Sequence, residues 1–131
     1  MRRPGAELVR VNSGAVGGNH LRRGGLAGWQ KRQVRDYIEE HLDDISLAKL
    51  AGLTRLSPFH FARAFKQSFQ LPPRRYLTLR RIERAKDLLG QPDLSVTRIG
   101  VNVGFGDTSS FSAAFRRETG VTPTDFRRVL V

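Results

Sequence analysis

The sequence predicts an all-α fold of about seven helices within 131 residues. From position 29 onward, apolar residues recur every three to four positions, which is the period of a helix with one buried face. No segment alternates apolar and polar residues with the period of two that is typical of strands. Residues that start helices precede the apolar stretches, and glycine ends several of them. These three observations favour helices alone.

The composition indicates a polyanionic partner. The 23 lysines and arginines exceed the 12 acidic residues, for a formal net charge of +11, and arginine greatly outnumbers lysine. Arginine suits bidentate recognition of phosphate and guanine, so nucleic acid is the first candidate partner and an anionic membrane surface the second. The absence of cysteine excludes disulfides, zinc–thiolate sites and a thiol nucleophile. No apolar run approaches the roughly 20 residues of a membrane span, and we expect a soluble cytoplasmic protein without a membrane partner.

Residues 1–28 are expected to form a flexible basic tail, followed by one domain over 29–131. The tail holds more than half of the 13 glycines, five arginines and little hydrophobic periodicity. Such a stretch buries too little apolar surface to offset the entropy lost on ordering. An inert tail is the favoured interpretation, and an arm that contacts nucleic acid is the alternative.

The first helix is predicted from Trp29, with a buried stripe that includes Val34, Ile38 and Leu42. Ser46 then has the position of an N-cap for a short helix over 47–53. Ser57-Pro58 is a second start signal, because proline is favoured at the first helical position.

Three phenylalanines follow this start at a spacing of four and are predicted to share one core-facing stripe: Phe61, Phe65 and Phe69. Pro72-Pro73 opens the longest predicted helix, over 72–89, which Gly90, Gln91 and Pro92 terminate. Its core-facing residues are expected to be Tyr76, Leu79, Ile82, Ala85 and Leu89, with Arg80, Arg81 and Arg84 off that stripe.

The last part of the chain repeats these signals. Ser95 precedes a short helix over 96–103, a turn follows at 104–106, and Asp107 is the predicted cap of the next helix. Phe111 and Phe115 again step by four toward a closing Gly120, and a final helix is predicted over 122–130.

The two halves therefore form an internal repeat. Segments 46–70 and 95–120 each hold a short helix, a tight turn and a capped second helix with inward aromatic residues, and a proline-started helix follows each of them. A helix-turn-helix motif has this arrangement, in which the first helix braces the second so that its polar face can enter the major groove.

The outward faces of the two second helices favour contact with DNA. Phe59 lies about 200° around its helix from the core-facing Phe61, at ~100° per residue, and should point outward. An exposed aromatic ring suits apolar contact with a thymine methyl group or a sugar. The outward stripe of the first unit consists of Phe59, Arg63, Lys66 and Gln67, with His60 beside it. In the second unit it consists of Ser109, Ala113, Arg116 and Arg117, with Thr108 and Ser112 nearby.

Three runs of the sequence resemble the DNA-binding domain of AraC-family regulators: ISLAKLAGLTRLSPFHFARAFKQSFQLPPRRYL, RRIERAKDLL and VTRIGVNVGFGDTSSFSAAFRRETGVTPTDFRR. The resemblance covers about residues 29–128. It implies two helix-turn-helix units, joined by the long linker helix, whose recognition helices enter successive major grooves about 34 Å apart on one face of the duplex. A linker of some 18 residues would span roughly 27 Å.

The resemblance also implies roles for individual residues. Those at base-contacting positions are Phe59, His60, Arg63, Gln67, Thr108, Ser109 and Ala113. Those expected to contact phosphates are Ser57, Lys66, Ser110, Ser112, Arg116 and Arg117. This chain departs from the family pattern at Ala113, where a longer polar residue is common, and at Gln70, where a left-handed backbone would cost on the order of 1 kcal/mol. It also departs at Gly100, where glycine in place of the usual alanine is expected to cost up to roughly 1 kcal/mol.

The function expected is that of a sequence-specific transcription regulator, an activator by analogy, which binds double-stranded DNA and is able to do so as a monomer. RNA polymerase is a second candidate partner. The alternatives are an interaction module that depends on a partner, and a non-specific nucleic-acid-binding protein. No enzymatic activity, cofactor or metal is expected, because His20, His41 and His60 belong to no metal-binding or nucleophilic motif.

Overall fold

The computed structural model describes residues 24–130, which form seven α-helices and no strand. The helices are α1 (Gly28–Glu40), α2 (Leu47–Thr54), α3 (Pro58–Phe69), α4 (Pro73–Leu89), α5 (Val96–Asn102), α6 (Thr108–Thr119) and α7 (Pro123–Leu130). The predicted all-α fold is confirmed.

Two hydrophobic cores lie side by side and share the linker helix α4. The first core is formed by α1, α2 and α3, with Leu77 from the N-terminal half of α4. The second core takes Ile82, Ala85 and Leu89 from the rest of α4 and packs them against α5 and α6. One continuous helix therefore contributes to both helix-turn-helix units.

The repeat seen in the sequence recurs in the caps. The hydroxyls of Ser46 and Ser95, the N-caps of α2 and α5, accept hydrogen bonds from backbone amides at 3.1 and 3.0 Å. Ser57 and Asp107 do the same for α3 and α6, at 3.2 and 2.7 Å. Each cap satisfies a backbone donor that has no partner within its helix. All four predicted N-caps are confirmed.

The aromatic packing is repeated as well. The rings of Phe65 and Tyr76 meet edge to face with their centroids 5.3 Å apart. In the second unit Phe115 and Phe126 meet in the same way at 5.4 Å. These pairs connect α3 to α4 and α6 to α7, in a geometry that aromatic quadrupoles favour.

One prediction about the core was wrong in detail. Leu77, not Leu79, is the buried leucine in the middle of α4, because the helix changes from one core to the other and its buried stripe shifts with it. Phe69 packs against the first core as predicted, although it is only half-buried. Its ring lies under the cationic groups of Lys31 and Arg35, at 5.4 and 6.0 Å from the ring centroid.

Gly100 has a packing role that the sequence did not indicate. A Cβ at this position would lie 2.9–3.1 Å from the ring and Cβ of Phe111, which is fully buried. The expected cost of glycine is therefore offset by the close approach of the aromatic ring to the α5 backbone. Its counterpart in the first unit, Ala51, is also buried and does carry a Cβ.

The left-handed backbone expected at Gln70 is confirmed, with φ of 71°. Gly120 occupies the matching position after α6 with φ of 88°. Arg55 ends α2 with φ of 63°, a second positive-φ residue that is not glycine. Arginine is not a typical turn residue, so the sequence did not predict a left-handed backbone at this position.

Three arginines of α4 bind the C-terminal end of α1. Arg80 forms a two-point ion pair with the Glu39 carboxylate, at 2.7 and 3.0 Å. Arg84 donates to the Glu39 backbone carbonyl at 3.0 Å and Arg81 to that of Leu42 at 2.9 Å. These cations satisfy carbonyls at and just beyond a helix C-terminus, where positive charge is favoured.

The same arginines mark the junction between the two units. A Cβ on Gly104, in the turn of the second unit, would lie 2.5 Å from the carbonyl oxygen of Leu42 and 2.8 Å from Nε of Arg81. Gly104 also has a φ of 109°, in the left-handed region that favours glycine. A second link joins Arg75, in the first turn of α4, to Glu118 of α6.

Of the residues expected to belong to a basic tail, Leu26 is buried in the first core and Gly28 is the first residue of α1. The rest of that expectation, over residues 1–23, lies outside the described residues. Within the described part, no helix is long and apolar enough to cross a membrane.

Candidate nucleic-acid interface

The recognition helix of the first unit is held by one face and presents the other to solvent. Phe61, Ala64 and Phe65 are buried in the first core. The predicted outward stripe, Phe59, Arg63, Lys66 and Gln67, is exposed along its whole length. The period of the helix therefore separates packing residues from surface residues, as the sequence predicts.

Phe59, His60 and Arg63 form a cluster at the N-terminal end of this stripe. The Phe59 ring is 66% exposed, and Cζ of Arg63 lies 5.7 Å from its centroid, within the range of a cation–π contact. The His60 ring meets the edge of Phe59 with the centroids 5.8 Å apart. An apolar ring, an imidazole and a guanidinium are thus presented together over the first two turns of α3.

Ser57 is already engaged within the protein. Its hydroxyl accepts a hydrogen bond from the backbone N–H of His60 and lies 2.8 Å from Nδ1 of the His60 ring. The cap therefore fixes both the start of α3 and the position of the His60 ring. This engagement leaves the Ser57 hydroxyl less capacity for the phosphate contact expected of it.

The charged residues of α2 and α3 and of the turn between them are all basic. Residues 47–69, which include α2 and α3, contain Lys49, Arg55, Arg63 and Lys66 and no acidic residue. Lys31 of α1 adds a cation near the C-terminal end of α3. Burial is the main cause that lowers the pKa of Lys31, and the neighbouring positive charge of Arg35 lowers it further. A segment of this kind attracts a polyanion.

The recognition helix of the second unit has the same architecture with smaller side chains. Phe111, Ala114 and Phe115 are buried, and Ser109, Ala113 and Arg116 are exposed on the opposite face. With Arg117, which is also exposed, this stripe offers one hydroxyl and two guanidinium groups, where α3 offers an aromatic ring, an amide and two cations.

Several predicted contact residues of the second unit are hydrogen-bonded inside it. The half-buried Thr108 donates its hydroxyl to Thr97 of α5 at 3.1 Å. Ser110 donates its hydroxyl to the capping carboxylate of Asp107, also at 3.1 Å. Both hydroxyls therefore have their hydrogens committed before any ligand arrives.

The remaining two predicted phosphate contacts differ in accessibility. Ser112 is half-buried on the flank of α6. Arg117 is exposed, with Nε 3.4 Å from the Glu118 carboxylate, which also binds Arg75. The structure therefore brings most of the predicted residues onto two outward helix faces, apart from the half-buried Thr108 and Ser112 and the N-cap Ser57, and their roles toward DNA stay predictions.

One part of this surface was missed by sequence reasoning. Gly24 and Gly25 line a cleft of about 370 Å³ together with His60, Arg63 and Gln67. The glycine-rich composition of the segment masked its packing. The single signal in the sequence was Leu26, an apolar residue just ahead of the first helix.

Comparison with known proteins places this architecture in a family. A helix-turn-helix domain family matches residues 50–129. The probable transcriptional regulator LumQ of Photobacterium leiognathi is 34% identical over 95 residues, which are 72% of this chain and 38% of LumQ. The transcriptional activator RhaS of Salmonella schwarzengrund is 38% identical over 97 residues, 73% of this chain and 35% of RhaS. The chain thus matches little more than a third of the length of either relative.

Solved structures show the same fold. The DNA-binding domain of the transcriptional factor AdpA, solved in complex with a target DNA, has a TM-score of 0.71 and 27% identity, with 75% of this chain and 89% of that one covered. A Chromobacterium violaceum transcriptional regulator described as AraC-type has a TM-score of 0.71 and 26% identity, with 78% and 92% covered. The paired, capped helices and the matched sequence agree, and the chain belongs to the AraC-type family of helix-turn-helix DNA-binding domains.

Proposed function

We propose that this chain is the DNA-binding part of a transcription regulator and that it inserts α3 and α6 into successive major grooves. The observation that carries the proposal is the exposed cluster of Phe59, His60 and Arg63 on a helix whose other face is fully packed. A rigid helix with an outward polar and aromatic stripe is the element that reads base edges in helix-turn-helix proteins.

Within this proposal the outward residues divide by chemistry. Arg63 reads a guanine through its two-pronged guanidinium, and Phe59 packs on a thymine methyl group. The other residues that face base edges in this proposal are His60, Gln67, Thr108, Ser109 and Ala113. The phosphate contacts come from Ser57, Lys66, Ser110, Ser112, Arg116 and Arg117, and they set register and affinity more than sequence preference.

The relatives support a regulatory role. RhaS is named an activator and LumQ a probable regulator, and the AdpA domain was solved with a target DNA. Activation, with RNA polymerase as partner and a DNA-competent monomer, is the form we propose here. The family is one of DNA-binding domains and not of enzymes.

The smaller stripe of α6 favours unequal roles for the two units. Ala113 has no polar atom for base readout, and the hydroxyl of Thr108, a half-buried residue at another base-facing position, is bonded internally. We therefore propose that α3 supplies most of the sequence preference and α6 acts largely through phosphates. A second candidate function, an interaction module that needs a partner to bind DNA, follows from the same observation.

Selection from a random duplex library at about 0.15 M salt tests these assignments. A bipartite motif with halves about 10–10.5 base pairs apart is expected, with more information in one half. Salt-sensitive binding without enrichment would leave a non-specific binder. Binding that appears only after RNA polymerase is added would favour the interaction module.

A further inference from the structure

The last turn of α6 is bound to the first turn of α4. The guanidinium of Arg75, the third residue of α4, donates a hydrogen bond to the carboxylate of Glu118, which is the last residue but one of α6. The first turn of α4 belongs to the first unit, because Leu77, two residues after Arg75, is buried in the first core. This ion pair therefore joins the second recognition helix to the first unit across forty-three positions of the sequence.

The Glu118 side chain is almost fully covered. It is 8% exposed, whereas the side chain of Glu83, which pairs with Lys86 on the surface of α4, is 53% exposed. Nε of Arg117 approaches the Glu118 carboxylate at 3.4 Å, so two guanidinium groups share one acceptor. The hydrogen bond from Arg75 is the main cause that lowers the pKa of Glu118, against the opposing effect of burial. The carboxylate is therefore charged at neutral pH and held by charge-assisted hydrogen bonds, which are stronger than neutral ones.

Glu118 lies on the packed side of α6 and not on its outward side. At ~100° per residue, it is about 140° around the helix from the exposed Ala113 and about 60° from the buried Phe115. Its negative charge would also be repelled by DNA phosphates. Glu118 is consequently placed to influence how α6 sits in the protein and not to contact DNA itself.

A second contact between the two units lies just ahead of α6. Gly104, in the turn that precedes α6, comes so close to the first unit that a Cβ on it would lie 2.5 Å from the carbonyl oxygen of Leu42. Leu42 is itself buried in the first core. The first unit is therefore in contact with the turn before α6 and, through Arg75 and Glu118, with the last turn of α6. Two contacts at separate points limit the tilt of a helix more than one contact does.

The geometry of DNA makes the placement of the two recognition helices important. Successive major grooves on one face of the duplex are about 34 Å apart, over about 10–10.5 base pairs. One inserted base pair therefore moves the second groove by about 3.4 Å and turns it by about 35° around the duplex axis. Recognition helices that are fixed relative to each other can follow such a change only with a loss of contacts, whereas a freely tilting α6 could adapt to it.

We propose that Glu118, through its ion pair with Arg75, is a positioning residue that fixes α6 relative to α3 and thereby sets the half-site spacing that the chain accepts. The proposal rests on the proposed DNA-binding function and adds to it a determinant of specificity that contacts no base. This specificity depends on the distance between the half-sites and not on their sequence, so it is separate from the readout by Arg63 and Phe59.

The test measures binding at about 0.15 M salt to the selected bipartite duplex and to duplexes whose half-sites are moved one base pair closer together or further apart. We call the dependence of affinity on this separation the spacing profile. The intact chain should bind the displaced duplexes about tenfold more weakly than the selected one, because the second helix then misses contacts. In Glu118→Gln that difference should shrink to about threefold. Binding to the selected duplex should weaken by about threefold, because α6 must then be ordered on binding.

Two further variants separate positioning from charge. Arg75→Gln breaks the same ion pair but lowers the net charge, whereas Glu118→Gln raises it, so general attraction to DNA changes in opposite directions. The spacing profile should nevertheless flatten in both variants. Glu83→Gln is the matched control, because Glu83 pairs with Lys86 within α4 alone. It removes the same charge as Glu118→Gln and should keep the spacing profile of the intact chain.

The outcomes separate this inference from the function on which it rests. An intact chain that binds no DNA overturns the proposed function. An intact chain that prefers one spacing, with the same profile in Glu118→Gln and Arg75→Gln, overturns the positioning role alone. An intact chain that binds every spacing equally well, or an equal flattening in Glu83→Gln, overturns that role too. If unfolding curves show that Glu118→Gln does not fold, Arg75→Gln decides the question, because Glu118 keeps Arg117 as a partner in that variant.

Discussion

Phe59 leaves 66% of its surface in water, although full burial of such a side chain would be favourable by about 1.5–3 kcal/mol. Arg63 and His60 cover part of the ring but do not bury it. Burial against a thymine methyl group would recover part of this free energy on DNA binding. The exposure of one ring is therefore the residue-level feature that best fits the proposed function.

Arg63→Ala is expected to cost roughly 1–3 kcal/mol on the preferred DNA site and to relax preference at one base pair, because a two-point contact with guanine is lost. Titration of the preferred duplex and of single-base variants measures this. Arg63→Lys keeps the charge but not the planar fork, and should lose nearly the same preference.

Lys66→Ala provides the contrast on the same helix, since a phosphate contact should weaken binding equally on all sequences. If Arg63→Ala behaves like Lys66→Ala, Arg63 contacts phosphate and the assignment is wrong. Retention of full base preference in Arg63→Lys would likewise contradict a two-point contact.

Gln70 and Gly120 allow a test of backbone strain at matched positions. Gln70→Gly should raise the free energy of unfolding by up to about 1 kcal/mol, because a left-handed backbone is costly for a residue with a Cβ. Gly120→Ala, with open space around its Cβ, should lower it by a similar amount. Urea unfolding of both variants measures the two changes, and shifts of the same sign would contradict the strain argument.

At the scale of the element, α5 shows how one short helix meets two requirements. Its buried face must hold Ile99 in the second core, and its backbone must also admit the ring of Phe111 from α6. Glycine at position 100 meets the second requirement because it has no Cβ, at the cost of a weaker helix. In α2, by contrast, the buried Ala51 has a Cβ and Gly52 has open space around it.

Gly100→Ala is therefore expected to lower the free energy of unfolding by about 1–3 kcal/mol, because the added methyl group overpacks the Phe111 ring. Gly52→Ala is the matched control in α2 and should raise it by about 0.5–1 kcal/mol through helix propensity. Thermal and urea unfolding of both variants measure the difference. Stabilisation by Gly100→Ala would show that the ring yields to the methyl group.

At the scale of the whole molecule, α4 and its ion pairs set how the two recognition helices are presented. The 17 residues of α4 span about 26 Å at 1.5 Å per residue. Arg80 and Arg84 fasten it to Glu39 of α1, and Arg75 fastens it to Glu118 of α6. These links fasten the shared helix to α1 of the first unit and to α6 of the second.

The links predict a loss of stability in acid. A hydrogen bond from Arg80 lowers the pKa of Glu39 below its ordinary value, and one from Arg75 does the same for Glu118. The folded chain therefore holds these protons less tightly than the unfolded chain does. The stabilisation is complete above the unfolded pKa of about 4.3 and is lost as the pH falls through the lowered folded values.

Glu39→Gln isolates this contribution. Its unfolding free energy should fall below that of the unchanged chain by a constant amount above about pH 5.5, and the difference should shrink as the pH falls below about 4.3. Urea unfolding between pH 2.5 and 7 gives both curves. Glu40→Gln is the control, because Glu40 is exposed and forms no ion pair within residues 24–130. An equal pH-dependent difference in the control would contradict the assignment.

The sequence by itself determined the seven helices, their caps and the two outward stripes. These features depend on local signals, such as Ser57-Pro58 before α3 and the spacing of four from Phe61 to Phe65, which act within one or two turns. The repeat also predicted that α2 packs with α3 and α5 with α6, because each unit buries its own aromatic residues.

Only the tertiary structure decided what depends on residues far apart in the chain. The close approach of the Phe111 ring leaves no room for a Cβ at Gly100. The Leu42 carbonyl and the Arg81 side chain leave none at Gly104, and no local sequence pattern encodes these contacts. The arginines Arg80, Arg81 and Arg84 were predicted only to lie off the core-facing stripe of α4, and in the structure they bind the end of α1. The packing of Leu26 on α3 likewise depends on an anchor across forty-two positions. Such contacts form where the folded chain brings unsatisfied carbonyls, charges and cavities together. The spacing of residues along the sequence does not predict where in the fold these groups meet.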